Sequence, residues 1–163
     1  MNENLILKIK QVADLDPVDY IKQGDAGIDL RASGVWITDL DRGKGNERRI
    51  EQDSYELLPQ DRVLALSGIE AEIPDGYYVD IRDRSGNALY HGLHVLAGVV
   101  DSNYRGEIGI LLTNLGKRPY VLSKNERIAQ MIVTPAVPVK IELSETLTKT
   151  ERGEQGFGST GKY

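Results

Sequence analysis

The apolar residues of this 163-residue chain come in short segments separated by turn residues, and this spacing restricts the fold more than any other feature. Within the segments apolar and polar residues alternate, as they do in half-buried strands. We predict strands at Leu5–Lys10, Gly27–Ala32, Tyr77–Arg82, Leu93–Val100, Glu107–Asn114 and Val139–Ser144. Many short strands at regular spacing are typical of a barrel or a sandwich, so the sequence predicts an all-β domain.

Three parts of the chain depart from this pattern. Ser85–Tyr90 fits one short helix, with Ser85 placed to cap its first turn. Thr38–Asp53 is charged and contains glycine, so we expect it to be an exposed hairpin or loop inserted into the domain. Residues 151–163 contain too few apolar groups to join a core. The sequence therefore predicts one β-domain over residues 1–150 and a flexible C-terminal tail.

The composition excludes several kinds of chemistry. Cysteine is absent, which removes disulfides, thiolate nucleophiles and cysteine-based zinc sites. The two histidines, His91 and His94, lack carboxylate or cysteine partners in the sequence, and we interpret them as structural. The formal net charge of −5 makes a nucleic-acid polymer an unfavourable partner. A small anionic substrate stays possible if arginines and a divalent cation offset its charge.

Targeting signals are not expected either. The apolar runs are too short for a transmembrane helix, and Lys8 and Lys10 interrupt the N-terminal apolar segment that a secretory signal would need. We therefore expect a soluble, cytoplasmic protein that contacts no membrane.

The glycine-rich tail has two interpretations. Gly156–Lys162 matches GxxxxGK, the beginning of a P-loop, but Tyr163 stands where that motif requires Ser or Thr, so we reject a P-loop. The tail is then either a solvated terminus or a lid that orders over an anionic ligand. In the second case Phe157, the only phenylalanine of the chain, would stack on a planar group.

Five short motifs follow one another from residue 26 to the C-terminus. They are AGIDL (Ala26–Leu30), RSGNAL (Arg84–Leu89), GVVDSNYRGEIG (Gly98–Gly109), ERIAQMI (Glu126–Ile132) and RGEQGFGSTG (Arg152–Gly161). Each is short enough to arise by chance, but the ordered set is specific. With these five motifs the sequence resembles the trimeric dUTPases.

The resemblance implies a dUTPase-like distorted β-barrel or jelly roll with one short helix. It also implies a homotrimer whose active sites are shared between neighbouring subunits, with the tail of residues 151–163 closing over a site. The implied reaction is Mg²⁺-dependent hydrolysis of dUTP to dUMP and pyrophosphate. Such a reaction limits uracil incorporation into DNA and supplies dUMP for thymidylate synthesis.

The third motif carries the implied chemistry. By similarity to the family, Asp101 activates the water that attacks the α-phosphate, and Tyr104 forms a floor beneath the deoxyribose that leaves no room for a 2′-hydroxyl. Gly98 and Gly109 flank the hairpin that reads uracil through backbone groups, since glycine permits a close approach. The alternatives are a turn aspartate that caps its hairpin, a core-packed tyrosine, and glycines that mark β-bulges.

The first, second and fourth motifs imply contacts with phosphate and metal. Arg84, Ser85 and Gly86 would bind phosphate from a neighbouring subunit, where free N–H groups at the start of the helix favour an anion. Asp29 would anchor the hydration shell of Mg²⁺ through water, and Gln130 would donate to phosphate. The alternatives are a helix-capping Ser85, an edge-strand carboxylate and a sheet-surface amide.

The fifth motif implies a lid. Arg152 would bind the terminal phosphates, and Phe157 would stack on uracil, a contact worth roughly 1–3 kcal/mol. The remaining lid residues that the resemblance implies as substrate contacts are Gly158, Ser159 and Thr160.

The sequence also departs from the family. Asp83 stands where the family often has proline, Asn87 where an apolar residue is usual, and Asn125-Glu126 where Gly-Asp is usual. A dCTP deaminase of the same fold is one alternative, but it would use a glutamate in the hairpin that here carries Asp101 and Tyr104. A second alternative is a regulatory protein switched by dUTP, with Thr38–Asp53 as its partner contact.

Overall fold

The structure is a computed structural model that describes residues 5–18 and 23–154. Within these ranges the backbone forms strands, a 3₁₀ turn at Leu40–Arg42 and a π-helical turn at Asn87–His91. The strands are β1 (Lys8–Gln11), β2 (Ile28–Arg31), β3 (Val35–Thr38), β4 (Arg48–Glu51), β5 (Ser54–Leu57), β6 (Arg62–Glu72), β7 (Tyr77–Arg82), β8 (Leu93–Leu96), β9 (Val99–Val100), β10 (Glu107–Asn114), β11 (Tyr120–Ser123) and β12 (Arg127–Pro135). The all-β prediction is confirmed.

The strands form antiparallel sheets. The largest sheet has the order β4-β3-β6-β10-β8, with β1 also paired to β6. A second sheet has the order β2-β12-β7-β9, and β5 pairs with β11 in a third. The long central strand β6 was not among the predicted strands. Its sequence contains Gly68, which has φ +71°, and a Cβ atom there would lie 2.8 Å from the side chains of Ala13 and Leu15.

The inward faces of the sheets form one apolar core. On β10 the side chains of Ile108, Ile110 and Leu112 are buried at alternate positions, as strand geometry requires. Trp36 of β3 is fully buried, and its indole Nε1 donates a hydrogen bond of 3.0 Å to the carbonyl of Gln52. Its ring stacks on Tyr55 at 5.8 Å. The single polar atom of the indole is thus satisfied inside the core.

Two predicted strands match the structure to the residue, namely Tyr77–Arg82 and Glu107–Asn114. The prediction for Leu93–Val100 was too long, because the chain turns between β8 and β9. Ala97 and Gly98 both have positive φ, of 62° and 118°, and an extended strand cannot pass through that conformation.

The predicted strand at Val139–Ser144 is wrong for this chain. Within the described residues no strand follows Pro135, and residues 136–154 are exposed and join no sheet. We call residues 136–154 the C-terminal arm. Its alternating apolar side chains are exposed, with 83% of Ile141 and 96% of Leu143 accessible to solvent. The alternation is real, but a strand also needs a hydrogen-bonding neighbour, and the described part of the chain supplies none.

The Thr38–Asp53 segment begins at the last residue of β3 and contains β4. The two strands form an antiparallel hairpin in which Thr38 pairs with Arg48. Most of its side chains are exposed.

In the ranges that the structure describes, no helix is long and apolar enough to cross a membrane.

Gly98 allows a specific stability test. A Cβ atom at this position would lie 2.7 Å from the carbonyl oxygen of Ile81, which is backbone and cannot move aside. Gly76 is the matched control, since it has φ +80° but open space around it. We expect Gly76→Ala to cost about 1–2 kcal/mol for the positive φ, and Gly98→Ala to cost about 1–3 kcal/mol more for overpacking. Urea unfolding measures both, and equal losses would contradict the close contact.

Candidate active site

Three of the five motifs meet at one open groove of about 490 Å³. The groove lies between the segment that leads into β2, the turn that follows β7, and β12. Its lining combines backbone of small residues with charged side chains, and consists of Gly24, Asp25, Ala26, Gly27, Asp29, Arg84, Ser85, Gly86, Arg127 and Gln130. Five of the residues that the sequence singled out are therefore side by side: Asp29, Arg84, Ser85, Gly86 and Gln130.

The register of β12 brings these residues together. Gln130 pairs with Asp29 of β2 on one side and with Arg82, the last residue of β7, on the other. Arg84 lies two residues beyond the end of β7, so it reaches the same level of the sheet. Backbone pairing thus determines which side chains can meet across this groove.

Asp29 and Arg84 form an ion pair. The Nε of Arg84 donates to Oδ1 of Asp29 at 2.8 Å, and Nε of Arg127 lies 3.5 Å from Oδ2. Arg84 also donates through Nη1 to the carbonyl of Arg127 at 3.2 Å. The Asp29 and Arg84 side chains are 24% and 32% exposed. The carboxylate therefore holds two guanidinium groups at the groove, where an anionic ligand could bind to them.

Gln130 of β12 lines the same groove and binds to the segment after β7. Its Nε2 donates to the carbonyl of Asp83 at 2.8 Å. A Cβ atom on Gly27 would lie 2.6 Å from Oε1 of Gln130, so a side chain at this position would require the Gln130 amide to move. One amide hydrogen of Gln130 is thus used in a hydrogen bond to the segment that contains Arg84.

The turn after β7 differs from the predicted α-helix. Ser85 and Gly86 are helical, and residues 87–91 continue as a π-helical turn. No side-chain hydrogen bond caps this turn, and Ser85 is exposed toward the groove, so the capping alternative for Ser85 is wrong. Asn87, which departs from the family pattern, donates through Nδ2 to the carbonyl of Arg127 at 3.2 Å. This bond ties the turn to β12.

A second group of side chains packs behind the turn. The Tyr120 hydroxyl donates to Oε1 of Glu126 at 2.6 Å, and the Tyr120 ring lies 4.7 Å from the ring of His91. Burial raises the pKa of Tyr120, and the hydrogen bond to Glu126 raises it further, while the charge of Arg84 acts in the opposite direction. Tyr120 therefore stays neutral and keeps its proton as a donor. Sequence reasoning did not find this support, and no spacing in the chain signals it.

The Asp101 hairpin lies outside the lining of the groove. Asp101 is exposed in the turn between β9 and β10, and its carbonyl accepts a hydrogen bond of 3.1 Å from the N–H of Tyr104. Among residues 5–18 and 23–154 the Asp101 carboxylate has no hydrogen bond or ion pair. The alternative of a carboxylate that caps its own hairpin is therefore wrong.

Tyr104 does not pack in the core. Its side chain is 46% exposed, and the hydroxyl donates to the carbonyl of Glu107 at 3.0 Å. A Cβ atom on Gly106 would lie 2.8 Å from Cζ of the tyrosine, so the hydroxyl end of the ring packs against its own hairpin. The side chain is therefore not packed in the core, and the core-packed alternative is wrong.

The two glycines that flank this hairpin have internal neighbours. The Gly98 carbonyl accepts a hydrogen bond of 2.7 Å from the N–H of Ile81 in β7. Gly109 lies at a register shift between β10 and β6, next to Leu64. The register shift at Gly109 agrees with the bulge alternative, and Gly98 lies close to the backbone of β7.

The tail is described only in part. Arg152 is exposed beside a turn in which the N–H of Gly153 donates to the carbonyl of Thr150 at 3.1 Å. It is not among the described residues that line the groove of this chain. Phe157, Gly158, Ser159 and Thr160 lie outside the described residues.

The side chains that line the groove determine what kind of metal ion it could bind. Within the described residues no three His, Cys, Asp or Glu side chains come together to hold an ion. Asp29 offers one carboxylate, already shared with two arginines, and Asp25 also lines the groove. This arrangement suits Mg²⁺ that keeps most of its waters and takes further oxygens from a substrate, and it does not suit a cage of protein ligands.

Comparisons with known proteins agree with this arrangement. The model of the dUTPase family matches residues 51–161. The deoxyuridine 5′-triphosphate nucleotidohydrolase of Chlamydia caviae is 38% identical, covering 97% of this chain and 98% of the relative. The protein of the same name from Caldanaerobacter subterraneus subsp. tengcongensis is 40% identical, covering 97% and 99%.

Solved structures show the same fold. A mutant of the Staphylococcus bacteriophage 80alpha dUTPase with dUpNHpp superposes with a TM-score of 0.78 at 22% identity, over 96% of this chain and 98% of that chain. A mutant dUTPase from phage phi11 of S. aureus, whose structure reveals the coordination of a structural Mg(II) ion, gives 0.69 at 17% identity, over 86% and 97%. From the family model and the two relatives it follows that this chain belongs to the dUTPase family.

Proposed function

We propose that this chain hydrolyses dUTP to dUMP and pyrophosphate through attack of an activated water at the α-phosphorus. The family membership carries the proposal, because relatives that align over nearly the whole chain are named for this reaction. Two features of the structure support it: an arginine-lined groove for an anion, and an exposed carboxylate at Asp101. The reaction would limit uracil incorporation into DNA and supply dUMP for thymidylate synthesis.

Asp101 is the general base in this proposal. A base must be free to accept a proton, and the Asp101 carboxylate makes no competing contact among the described residues. Its place in a tight hairpin fixes the backbone while leaving the side chain exposed. General-base assistance of this kind typically contributes about 10²–10⁴ in rate.

In this proposal, residues of the groove and of the tail bind the phosphates of dUTP. The Arg84 and Arg127 guanidinium groups, held by Asp29, would offset the negative charge of the leaving pyrophosphate. Ser85 and Gly86 would add donors from the exposed turn, and Gln130 would steady that turn through its bond to Asp83. Arg152, Ser159 and Thr160 would complete the phosphate contacts when the tail closes.

In this proposal, the third motif (Gly98–Gly109) and the tail recognise the base and the sugar. The exposed ring of Tyr104 would lie under the deoxyribose and exclude a 2′-hydroxyl. Backbone groups of the hairpin between Gly98 and Gly109 would read the uracil edge, and Phe157, next to Gly158, would stack on the ring. Buried backbone donors and acceptors left unpaired by the wrong base can discriminate by about 10⁴–10⁵.

Mg²⁺ is the proposed cofactor, with Asp29 as its anchor through water. The ion would supply charge neutralisation on the triphosphate. The scarcity of carboxylates around the groove agrees with a metal held mainly by the substrate. The proposal is supported by a mutant dUTPase of this fold, from phage phi11 of S. aureus, which coordinates a structural Mg(II) ion.

A homotrimer with shared sites accounts for two features of the single chain. The Asp101 hairpin and the phosphate groove, which one reaction needs together, do not line one cavity. The C-terminal arm exposes a row of apolar side chains that a neighbouring subunit could cover. We propose that neighbouring subunits complete each site, with residues 1–150 as the domain and residues 151–163 as the lid. The partners are then dUTP and two further copies, with no membrane or nucleic-acid polymer, in the cytoplasm.

The substrate panel tests the reaction. With Mg²⁺, we expect pyrophosphate release from dUTP and little from dCTP, dTTP or UTP. Asp101→Ala should lower the rate by about 10²–10⁴ while still binding dUpNHpp. Asp75→Ala, a change at an exposed turn aspartate, is the matched control and should leave the rate unchanged.

Other outcomes of the panel would point elsewhere. Ammonia release from dCTP would favour a deaminase of this fold, and tight dUTP binding without turnover would favour a nucleotide-switched regulatory protein. No binding and no release would contradict the proposal altogether.

The assembly has its own test. Light scattering should give three times the 18.1 kDa mass of one chain. The double change Ile141→Asp and Leu143→Asp should lower that mass, because it places charges in a covered apolar row. Lys140→Asp, on the same arm but at an exposed polar position, is the control. A wild-type mass of one chain would contradict the trimer.

A further inference from the structure

Asp83 joins three strands at the point where the Arg84–Gly86 turn begins. Its Oδ1 accepts a hydrogen bond of 2.6 Å from the N–H of Val95 in β8, and its Oδ2 lies 2.8 Å from Nδ1 of His94. Its own carbonyl accepts the Nε2 of Gln130 in β12 at 2.8 Å. The residue itself follows directly after β7. Side chain and main chain of one aspartate thus connect β7, β8 and β12.

The bond to Val95 spans two sheets. β8 is the last strand of the large sheet and pairs with β10 on one side only, where Val95 lies opposite Leu112. The Val95 N–H points to the other side, toward the end of β7 in the second sheet, and Asp83 supplies its acceptor. The bond is partly buried, with the side chain of Val95 buried and that of Asp83 29% exposed, and removing the Asp83 carboxylate would take away the acceptor of this N–H.

The same residue determines where the turn sits. Arg84, the next residue, is bound at its far end to Asp29 and to the Arg127 carbonyl. The peptide between Asp83 and Arg84 is therefore fixed on both sides, whereas Ser85 and Gly86 are exposed. The position of these two residues depends on the anchor that precedes them.

We propose that Asp83, oriented by His94, is a positioning residue for the phosphate-binding turn Arg84–Gly86. The inference rests on the proposed function, since it assumes that this turn binds the phosphates of dUTP. It adds that the turn is aligned through β8, the strand that leads through Ala97 and Gly98 to the Asp101 hairpin. Asp83 thereby sets the position of the phosphate turn relative to the large sheet of its own chain.

The test compares ligands with and without phosphates. In Asp83→Ala we expect dUpNHpp to bind more weakly and kcat/KM for dUTP to fall by up to about 100-fold, as small misplacements of binding groups do. Inhibition by deoxyuridine, which has no phosphates, should stay within about twofold of wild type because the turn does not contact the base. Asp83→Asn keeps an acceptor for Val95 and should restore most of the dUpNHpp affinity.

Asp80→Ala is the matched control. Asp80 is a carboxylate on the same strand, paired with Arg82 at 2.7 Å and not part of the turn. We expect it to leave dUpNHpp binding unchanged. If Asp83→Ala does not fold, His94→Ala, which leaves the Val95 bond in place, should show the same selective loss for dUpNHpp in a weaker form.

Several results would overturn the inference. Equal losses for dUpNHpp and deoxyuridine would mean that Asp83 only stabilises the fold, and no loss would mean that it positions nothing. Binding of dUpNHpp is measured without turnover. If the wild type binds the analogue but releases no pyrophosphate from dUTP, the proposed function is contradicted, and the dUpNHpp affinities of the Asp83 variants can still be compared. A wild type that binds no dUpNHpp would overturn both.

Discussion

The antiparallel pairing of β12 with β2 and β7 is the constraint on which the groove depends. It places Gln130 level with Asp29 on one side and with the end of β7 on the other. Because side chains alternate along a strand, a slip of one residue would turn Gln130 to the opposite face and separate Asp29 from Arg84. The register is secured by the buried neighbours Ala129 and Met131, which face the core. Core packing therefore determines the geometry of a polar site at the surface.

Local alternation predicted some strands well because those strands bury one face each. β7 and β10 match to the residue for that reason. β6 was missed: Ser67 and Gly68 interrupt its apolar residues, and the segment that packs against Gly68 lies far away in the sequence. The C-terminal arm has the alternation but no neighbour within the described chain. Pattern alone cannot tell whether a partner strand exists.

The motifs placed Asp29, Arg84 and Gln130 in one site, and the structure brings these residues together. What the sequence did not predict is how they contact one another. The Asp29–Arg84 ion pair gives both residues a partner before any ligand binds. The acceptor role of Asp83 was also unforeseen, since it needs β8 to pass close to the end of β7. Spacing along a chain carries no information on such contacts between distant strands.

A mixture of two inactive variants tests the central claim, that one active site draws on two chains. Asp101→Ala and Arg84→Ala chains would be unfolded together in equal amounts, refolded and assayed for pyrophosphate release from dUTP. If the base and the phosphate turn come from neighbouring subunits, random assembly leaves about a quarter of the sites intact, and activity should rise to about a quarter of the wild-type rate. If activity stays at the level of the separate variants, both residues act within one chain and the account is contradicted.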